Sequence, residues 1–407
     1  MKAPLVLSLL LLGPATSWAK TGAVESRSAD LDVATMVELA KLGEVALIEP
    51  TPEGRSKQVV IFGLLGAPPE KVWDVLMDVG AYPKFIRTVV AINVTKKEGN
   101  LLSFDWELDV PFFNLKGSRA QRGERPRLIE VRGLRGHLRG TRERWELYSI
   151  DGGKRTLAAL YRALDVDTGG VLLETMVKLE PSMEQGAALA TGFVHLRGLR
   201  RFVEGLPAET SIPARTGPVP PFRTIHFGEG GLSLPKLEPL LRHGQLAIIE
   251  SYEDGSLRQI AVFANVDAPK AKIAGIVQDP GKYPEFIPNF AEQTATPVGP
   301  GLLKMNWELE VPLTNLSGES LMTIEADGTV DVVAQKGDIT RGRWRWEFHE
   351  RGPNATIPVH YAYSDIRESS WVTKKLVEKE PLFEHGIVIA SGTIAMTAMK
   401  ARAEGRR

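Results

Sequence analysis

The chain is written twice, and that constrains its fold more than any single motif does. Trp106-Glu107-Leu108-x-Val110-Pro111-x-x-Asn114-Leu115-x-Gly117 returns 201 residues later as Trp307-Glu308-Leu309-x-Val311-Pro312-x-x-Asn315-Leu316-x-Gly318. At the same offset Tyr82-Pro83-x-Phe85-Ile86 returns as Tyr283-Pro284-x-Phe286-Ile287, and Ala46-x-Ile48-Glu49 as Ala247-x-Ile249-Glu250. One residue is lost near Asp151, after which Tyr161 pairs with Tyr361, Glu180-Pro181 with Glu380-Pro381 and Gly192 with Gly392. Solenoid repeats run about 20–50 residues, so a period this long means two copies of one complete domain.

The first residues carry a charged start, an apolar stretch from Leu5 to Leu12 and a small-x-small site ending at Ala19. This predicts a secretory signal peptide over 1–19, removed to leave an exported, secreted or periplasmic chain. The apolar run is shorter than the roughly 20 residues a membrane span needs, so no transmembrane segment is expected in the mature chain. There is no cysteine, hence no disulfide framework. With 50 Lys and Arg against 50 Asp and Glu, the chain lacks the basic excess of a nucleic-acid binder.

The Pro- and Gly-rich stretch 206–234 reads as a linker between a first domain, 27–205, and a second, 235–407. Each copy is predicted to open with a short amphipathic helix stopped by Gly43 or Gly244, followed by a strand pair. A proline-started helix at Pro68 to Met77, matched by Ala268 to Val277, precedes the Tyr-Pro-x-Phe-Ile segment, which either packs its rings or caps an opening. Alternating strands follow, and a long helix closes each copy, about Met183 to Glu204 and Phe383 to Glu404. Alternation puts Leu102, Phe104, Trp106 and Leu108 on one face, with Leu303, Met305, Trp307 and Leu309 in the second copy. Trp145 and Leu147 face in, as do Trp344, Trp346 and Phe348; Arg142, Arg144, Glu146 and their counterparts read as surface cross-strand pairs.

Ala67-Pro68-x-Glu70-x-Val72-Trp73-x-Val75-Leu76-x-Asp78 followed by Tyr82-Pro83-x-Phe85-Ile86, and its second-copy match, resembles the START-like, helix-grip superfamily, including its polyketide cyclase/dehydrase and coenzyme-Q-binding members. The resemblance implies an α+β fold of two tandem helix-grip domains, each a curved antiparallel sheet wrapped around its long C-terminal helix. It also implies a cavity for a lipid, sterol, quinone or polyketide between sheet and helix. A void of roughly 300 Å³ would cost about 7 kcal/mol, close to a whole domain's stability, so it would have to be occupied. Small residues on the first long helix, Ala187, Ala188, Ala190 and Gly192, are expected to leave room. Ile387, Val388, Ile389, Met396 and Met399 are expected to fill the second copy.

The expected ligand-lining set is Phe104, Trp106, Glu143, Trp145, Tyr161, Ala190 and Phe193 in the first copy, with Trp307, Trp344, Trp346, Tyr361 and Tyr363 in the second. Glu143 breaks the inward apolar pattern where the second copy has Trp344. It either faces a cavity, where it orients a polar head or acts as acid or base, or stands at a wet strand edge. Tyr161 and Tyr361 point inward if Ala159, Ala163, Ile357, Val359 and Tyr363 mark inner faces, as ligand contacts or satisfied core phenols. His195 reads as a helix-surface residue. The seven histidines are scattered, so neither a metal site nor a cofactor is expected, and no catalytic residue is assigned. The resulting expectation is an exported carrier of a hydrophobic small molecule or lipid, more a binder than an enzyme. The alternatives are an aromatase/cyclase-like enzyme and a ligand-free interaction module, and a protein partner is left open.

Overall fold

The computed structural model describes residues 24–406, apart from 52–54, 111–112, 171–173, 175–182, 208–211, 214, 289 and 312–313. The expected signal peptide therefore lies outside the described residues.

Each copy begins with a short helix, α1 (Val33–Leu42) or α4 (Leu234–Leu241), and a strand pair, β1 (Glu44–Pro50) with β2 (Ser56–Leu65) or β9 (Gln245–Ser251) with β10 (Leu257–Phe263). Asp32 caps α1 by accepting from the Thr35 amide at 2.7 Å. Next come α2 (Pro69–Met77) and α5 (Lys270–Val277), each followed by a 3₁₀ turn over the Tyr-Pro segment. Six further strands per copy form a meander. In the first copy these are β3 (Val89–Glu98), β4 (Leu101–Val110), β5 (Phe113–Glu124), β6 (Leu128–Gly136), β7 (Arg142–Ile150) and β8 (Arg155–Ala163). The second repeats them as β11 (Phe290–Gly299), β12 (Leu302–Val311), β13 (Thr314–Ile324), β14 (Val330–Gly337), β15 (Gly342–Gly352) and β16 (Ala355–Ser364). The long helices are α3 (Met183–Val203) and α7 (Phe383–Glu404), the latter preceded by α6 (Trp371–Lys379).

The two sheets are one. Strand order runs β11-β12-β13-β14-β15-β16-β10-β9-β1-β2-β8-β7-β6-β5-β4-β3, and the copies meet where β1 pairs antiparallel with β9, Ala46 opposite Ala247. This junction removes an open edge from each copy. It depends on two glycines related by the repeat: a Cβ on Gly43 would lie 2.1 Å from the Ile249 carbonyl oxygen, and one on Gly244 1.8 Å from that of Ile48. The helices α3 and α7 cross on the same face of the sheet by the same device. A Cβ on Gly186 would come within 2.9 Å of Ala390 Cβ, and one on Gly386 within 2.2 Å of Ala190 Cβ.

Both faces of the central strands are covered, which is why Val45-Ala46-Leu47-Ile48 is apolar without alternation. Ala46, Ile48, Ile61, Ala158 and Leu160 pack toward α3 and α7. Val45, Leu47, Val60, Phe62, Leu157, Ala159 and Tyr161 pack the other way, against Met36 and Leu39 of α1 and Leu237 and Leu240 of α4. Residues 222–227 also lie on that second face. The Arg223 amide donates to Gln259 Oε1 at 2.8 Å and the Ile225 amide to the Tyr361 hydroxyl at 2.8 Å. The first copy repeats this with the Glu25 amide on Gln58 Oε1 (2.8 Å) and the Arg27 amide on the Tyr161 hydroxyl (3.1 Å).

Candidate functional site

Beneath α3 the sheet presents an apolar surface interrupted by charge. Phe104, Trp106 and Trp145 are buried there with Leu102, Ile129 and Leu147. Glu143 stands among them on β7, 3% exposed and not at a wet edge. Its Oε1 accepts from Nε and Nη2 of Arg162, directly opposite on β8, at 3.1 and 2.7 Å, and lies 3.3 Å from Nη1 of Arg119 on β5. Arg162 also donates to Thr191 Oγ1 on α3 at 2.7 Å. Burial opposes ionisation of Glu143, but Arg162 and Arg119 outweigh it and hold its carboxyl at about 2. Glu143 is therefore an anion at neutral pH and unsuited to proton transfer there.

His195 corrects its expected surface position: it is 6% exposed and faces the sheet. Ala188, Gly192, His195 and Leu199 recur at helical spacing on the covered stripe of α3. The His195 ring meets Trp145 edge-on at 5.5 Å and Tyr82 at 5.6 Å. Desolvation holds its pKa down to about 3, so the ring is neutral, though Glu143 pulls the other way. Tyr82 donates to the Leu76 carbonyl at 2.8 Å, beside Gln121, whose Nε2 donates to the same oxygen at 2.7 Å. The Tyr-Pro segment thus packs its ring into the core and receives α3 closely, since a Cβ on Gly198 would lie 2.2 Å from the Phe85 carbonyl oxygen.

Among the described residues three polar atoms in this interior have no protein partner: Trp106 Nε1, Arg119 Nε and His195 Nε2. The Arg119 guanidinium lies over the Trp106 ring, 5.0 Å from its centroid, and its desolvation lowers the guanidinium pKa. The second copy satisfies the equivalent indole, although His360 Nδ1 and Gln293 Oε1 are buried there without a partner among the described residues. Trp307 Nε1 donates to Ser320 Oγ at 3.0 Å, and Ser320 occupies the position of Arg119. Trp344, Ala362, Met322 and Ala395 replace Glu143, Arg162, Gln121 and His195. Trp346 stacks on His360 at 4.2 Å, and burial holds His360 at about 4.

Other expected lining residues lie elsewhere. Tyr161 and Tyr361 are on the face away from α3 and α7, because Ala159, Ile357 and Val359 mark that face and not the inner one. A second apolar layer covers it, so burial of these phenols does not signal the grip interior. Ala190 faces Gly386 of α7, and Phe193 stacks on His385 at 5.1 Å, so both serve the helix crossing. The small residues of α3 leave no room: a Cβ on Gly192 would lie 2.6 Å from Ile61 Cδ1, and Gly392 meets Ile260 Cδ1 in the same way at 2.5 Å. Trp344 is half-buried over Gly342. Tyr363 accepts from Arg341 Nη1 at 3.3 Å. Comparing the copies position by position carries the signal that finds Arg119, Gln121, Arg162 and His195, each of which is polar in the first copy and small or apolar in the second.

The second copy also closes one end of the first. Lys379 of α6 pairs with Asp109 of β4, and Glu380 and Leu382 line a hollow of about 30 Å³ with Phe85, Val194 and Gly198. Among the described residues no group of three metal-ligating side chains occurs, and no helix is long and apolar enough to cross a membrane.

Each copy thus curves an antiparallel sheet around its long C-terminal helix, an α+β fold of two tandem helix-grip domains. Residues 65–197 match the family described as polyketide cyclase/dehydrase and lipid transport. Among solved structures, the chain is similar to the ZhuI aromatase/cyclase from Streptomyces sp. R1128, with 18% identity over 36% of this chain and 93% of that one and a TM-score of 0.32. It is also similar to the di-domain ARO/CYC BexL of the BE-7585A biosynthetic pathway, at 12% identity over 86% of this chain and 99% of that one, TM-score 0.30. A STAR-related lipid transfer protein from Xanthomonas axonopodis is similar at 13% identity over 39% and 93%, TM-score 0.31. No curated protein matches the chain in sequence.

Proposed function

We propose that this protein is an exported binding and carrier protein for an apolar ligand, a lipid, quinone or other isoprenoid, held in the first copy between the sheet and α3. The second copy acts as its scaffold. One observation carries the reading: among the described residues Trp106 Nε1, Arg119 Nε and His195 Nε2 are buried without a partner around one cation, whereas the second copy pairs the equivalent indole and has no arginine or histidine at the other two positions. Each such group costs about 1–3 kcal/mol, and a ligand's polar head would remove that cost. The aromatic floor of Phe104, Trp106 and Trp145 supplies the desolvated surface for the rest of the molecule. Because side chains fill this space, the tail enters by parting α3 from the sheet, so the occupied and empty forms differ in the position of that helix.

Native mass spectrometry of the protein purified from its own host tests this. The expected result is a lipid-sized mass, one per chain, that is diminished by Trp106→Ala. Protein that carries no additional mass and gains none on incubation with lipid extract contradicts it. For export, the expectation is mature protein starting after Ala19 in the extracytoplasmic fraction; full-length protein in the cytoplasm contradicts it.

A further inference from the structure

The charges beneath α3 do not balance. Arg119 and Arg162 bring two positive charges, Glu143 brings one negative charge, and His195 is neutral, which leaves one surplus positive charge among the described residues. Arg162 is spent on Glu143 and Thr191, whereas Arg119 meets Glu143 through Nη1 at 3.3 Å and its Nε has no partner among the described residues. Beside that free N–H is the Trp106 indole, a group that can only donate. Two unpaired donors next to a surplus cation form a receptor for an acceptor carrying negative charge. In the second copy the cation, its counter-ion and the unpaired indole are lost together.

We propose that the first-copy site takes an amphiphile whose head carries a single negative charge, a carboxylate on an apolar chain, bound between Arg119 Nε, Trp106 Nε1 and His195 Nε2. This rests on the reading of the first copy as a ligand site and adds the chemical class of the ligand. A carboxylate supplies two coplanar oxygens that suit the edge of a guanidinium, and its one charge cancels the surplus. A phosphate monoester, at close to two negative charges, over-neutralises the pocket. An alcohol or quinone head leaves the surplus charge uncompensated in a dry interior.

The test compares ligands that share one chain: palmitate, hexadecanol and hexadecyl phosphate, titrated against the full-length protein at pH 8, where palmitate is ionised. The expected order places palmitate tighter than hexadecanol by on the order of tenfold or more, with the phosphate weaker than palmitate. Arg119→Gln removes the surplus charge and Trp106→Phe removes one donor while keeping the ring, and each is expected to shrink the palmitate preference. Should Arg119→Gln fail to fold, Trp106→Phe still decides the matter. Equal affinity for palmitate and hexadecanol overturns the head-group assignment while leaving a ligand site in place. Tighter binding of hexadecyl phosphate overturns the single charge. Binding of none of the three overturns the ligand site and the head-group assignment with it.

Discussion

Glu143 and Arg162 face one another across β7 and β8, and a single carboxylate oxygen accepts both Nε and Nη2 of the guanidinium, at 3.1 and 2.7 Å, in the interior of the first copy. Removing one partner strands the other charge out of water. Glu143→Ala is expected to destabilise the protein by about 3–5 kcal/mol, seen as a lower urea midpoint. Replacing the whole set with the second copy's residues, Arg119→Ser, Glu143→Trp, Arg162→Ala and His195→Ala, is expected to cost less than Glu143→Ala alone. A quadruple variant less stable than the single one would contradict this account of the pair.

The two copies are held together at positions where only glycine fits. Gly386→Ala places a methyl 2.2 Å from Ala190 Cβ and is expected to cost about 1–3 kcal/mol by overpacking the helix crossing. Gly244→Ala strikes the backbone of β1 and is expected to cost more, since a carbonyl oxygen cannot turn aside as a side chain can. Thermal melts of the two variants check the order, and a Gly386→Ala protein as stable as the wild type would contradict the packing.

Stability should fall on mild acidification. His195 and His360 are held down to about 3 and 4 by burial, and His385 is pushed well below its ordinary 6.5 by the same cause. Below pH 6.5 the unfolded chain takes up these protons and the folded chain does not, which favours unfolding. Burial raises Glu384 to about 7, so between about 4.5 and 7 the folded state holds one proton that the unfolded state has released, an effect of opposite sign. Burial also lowers His349 and raises Glu250, one group on each side, so four groups against two leave a net loss of stability from pH 7 to pH 5, at roughly 1.4 kcal/mol per pH unit for each net proton. Urea midpoints at pH 7.5 and 5.5 measure it, and His195→Gln should flatten the slope. A midpoint independent of pH would contradict the burial of these rings.

Tyr161 should matter to the fold and not to the ligand. Its hydroxyl accepts from the Arg27 amide on the face away from α3, so Tyr161→Phe is expected to cost about 1–3 kcal/mol while leaving ligand affinity unchanged. A large loss of affinity in a folded Tyr161→Phe protein would place the site on the wrong face.

The repeat, the helix-grip order and most helix limits are legible in the sequence, because proline starts, glycine stops and strand alternation are local signals. The fusion of the two sheets is not, since the β1–β9 pairing joins segments 200 residues apart and Gly43 and Gly244 look like ordinary helix stops. Burial on both faces of β8 and β16 hid the orientation of Tyr161 and Tyr361. At the site, Glu143 shows itself by standing where the second copy has Trp344. Arg119, Arg162 and His195 are concealed because polar residues ordinarily face water; pairing with Glu143 makes an interior position tolerable for the two arginines, and His195 is held there as a neutral ring.

The most direct measurement of the central claim, one ligand site in the first copy and none in the second, is calorimetric titration of the full-length protein with palmitate. One palmitate per chain is expected for the wild type, and none for the folded variant carrying Arg119→Ser, Glu143→Trp, Arg162→Ala and His195→Ala. Two palmitates per chain, or undiminished binding by that variant, would contradict it.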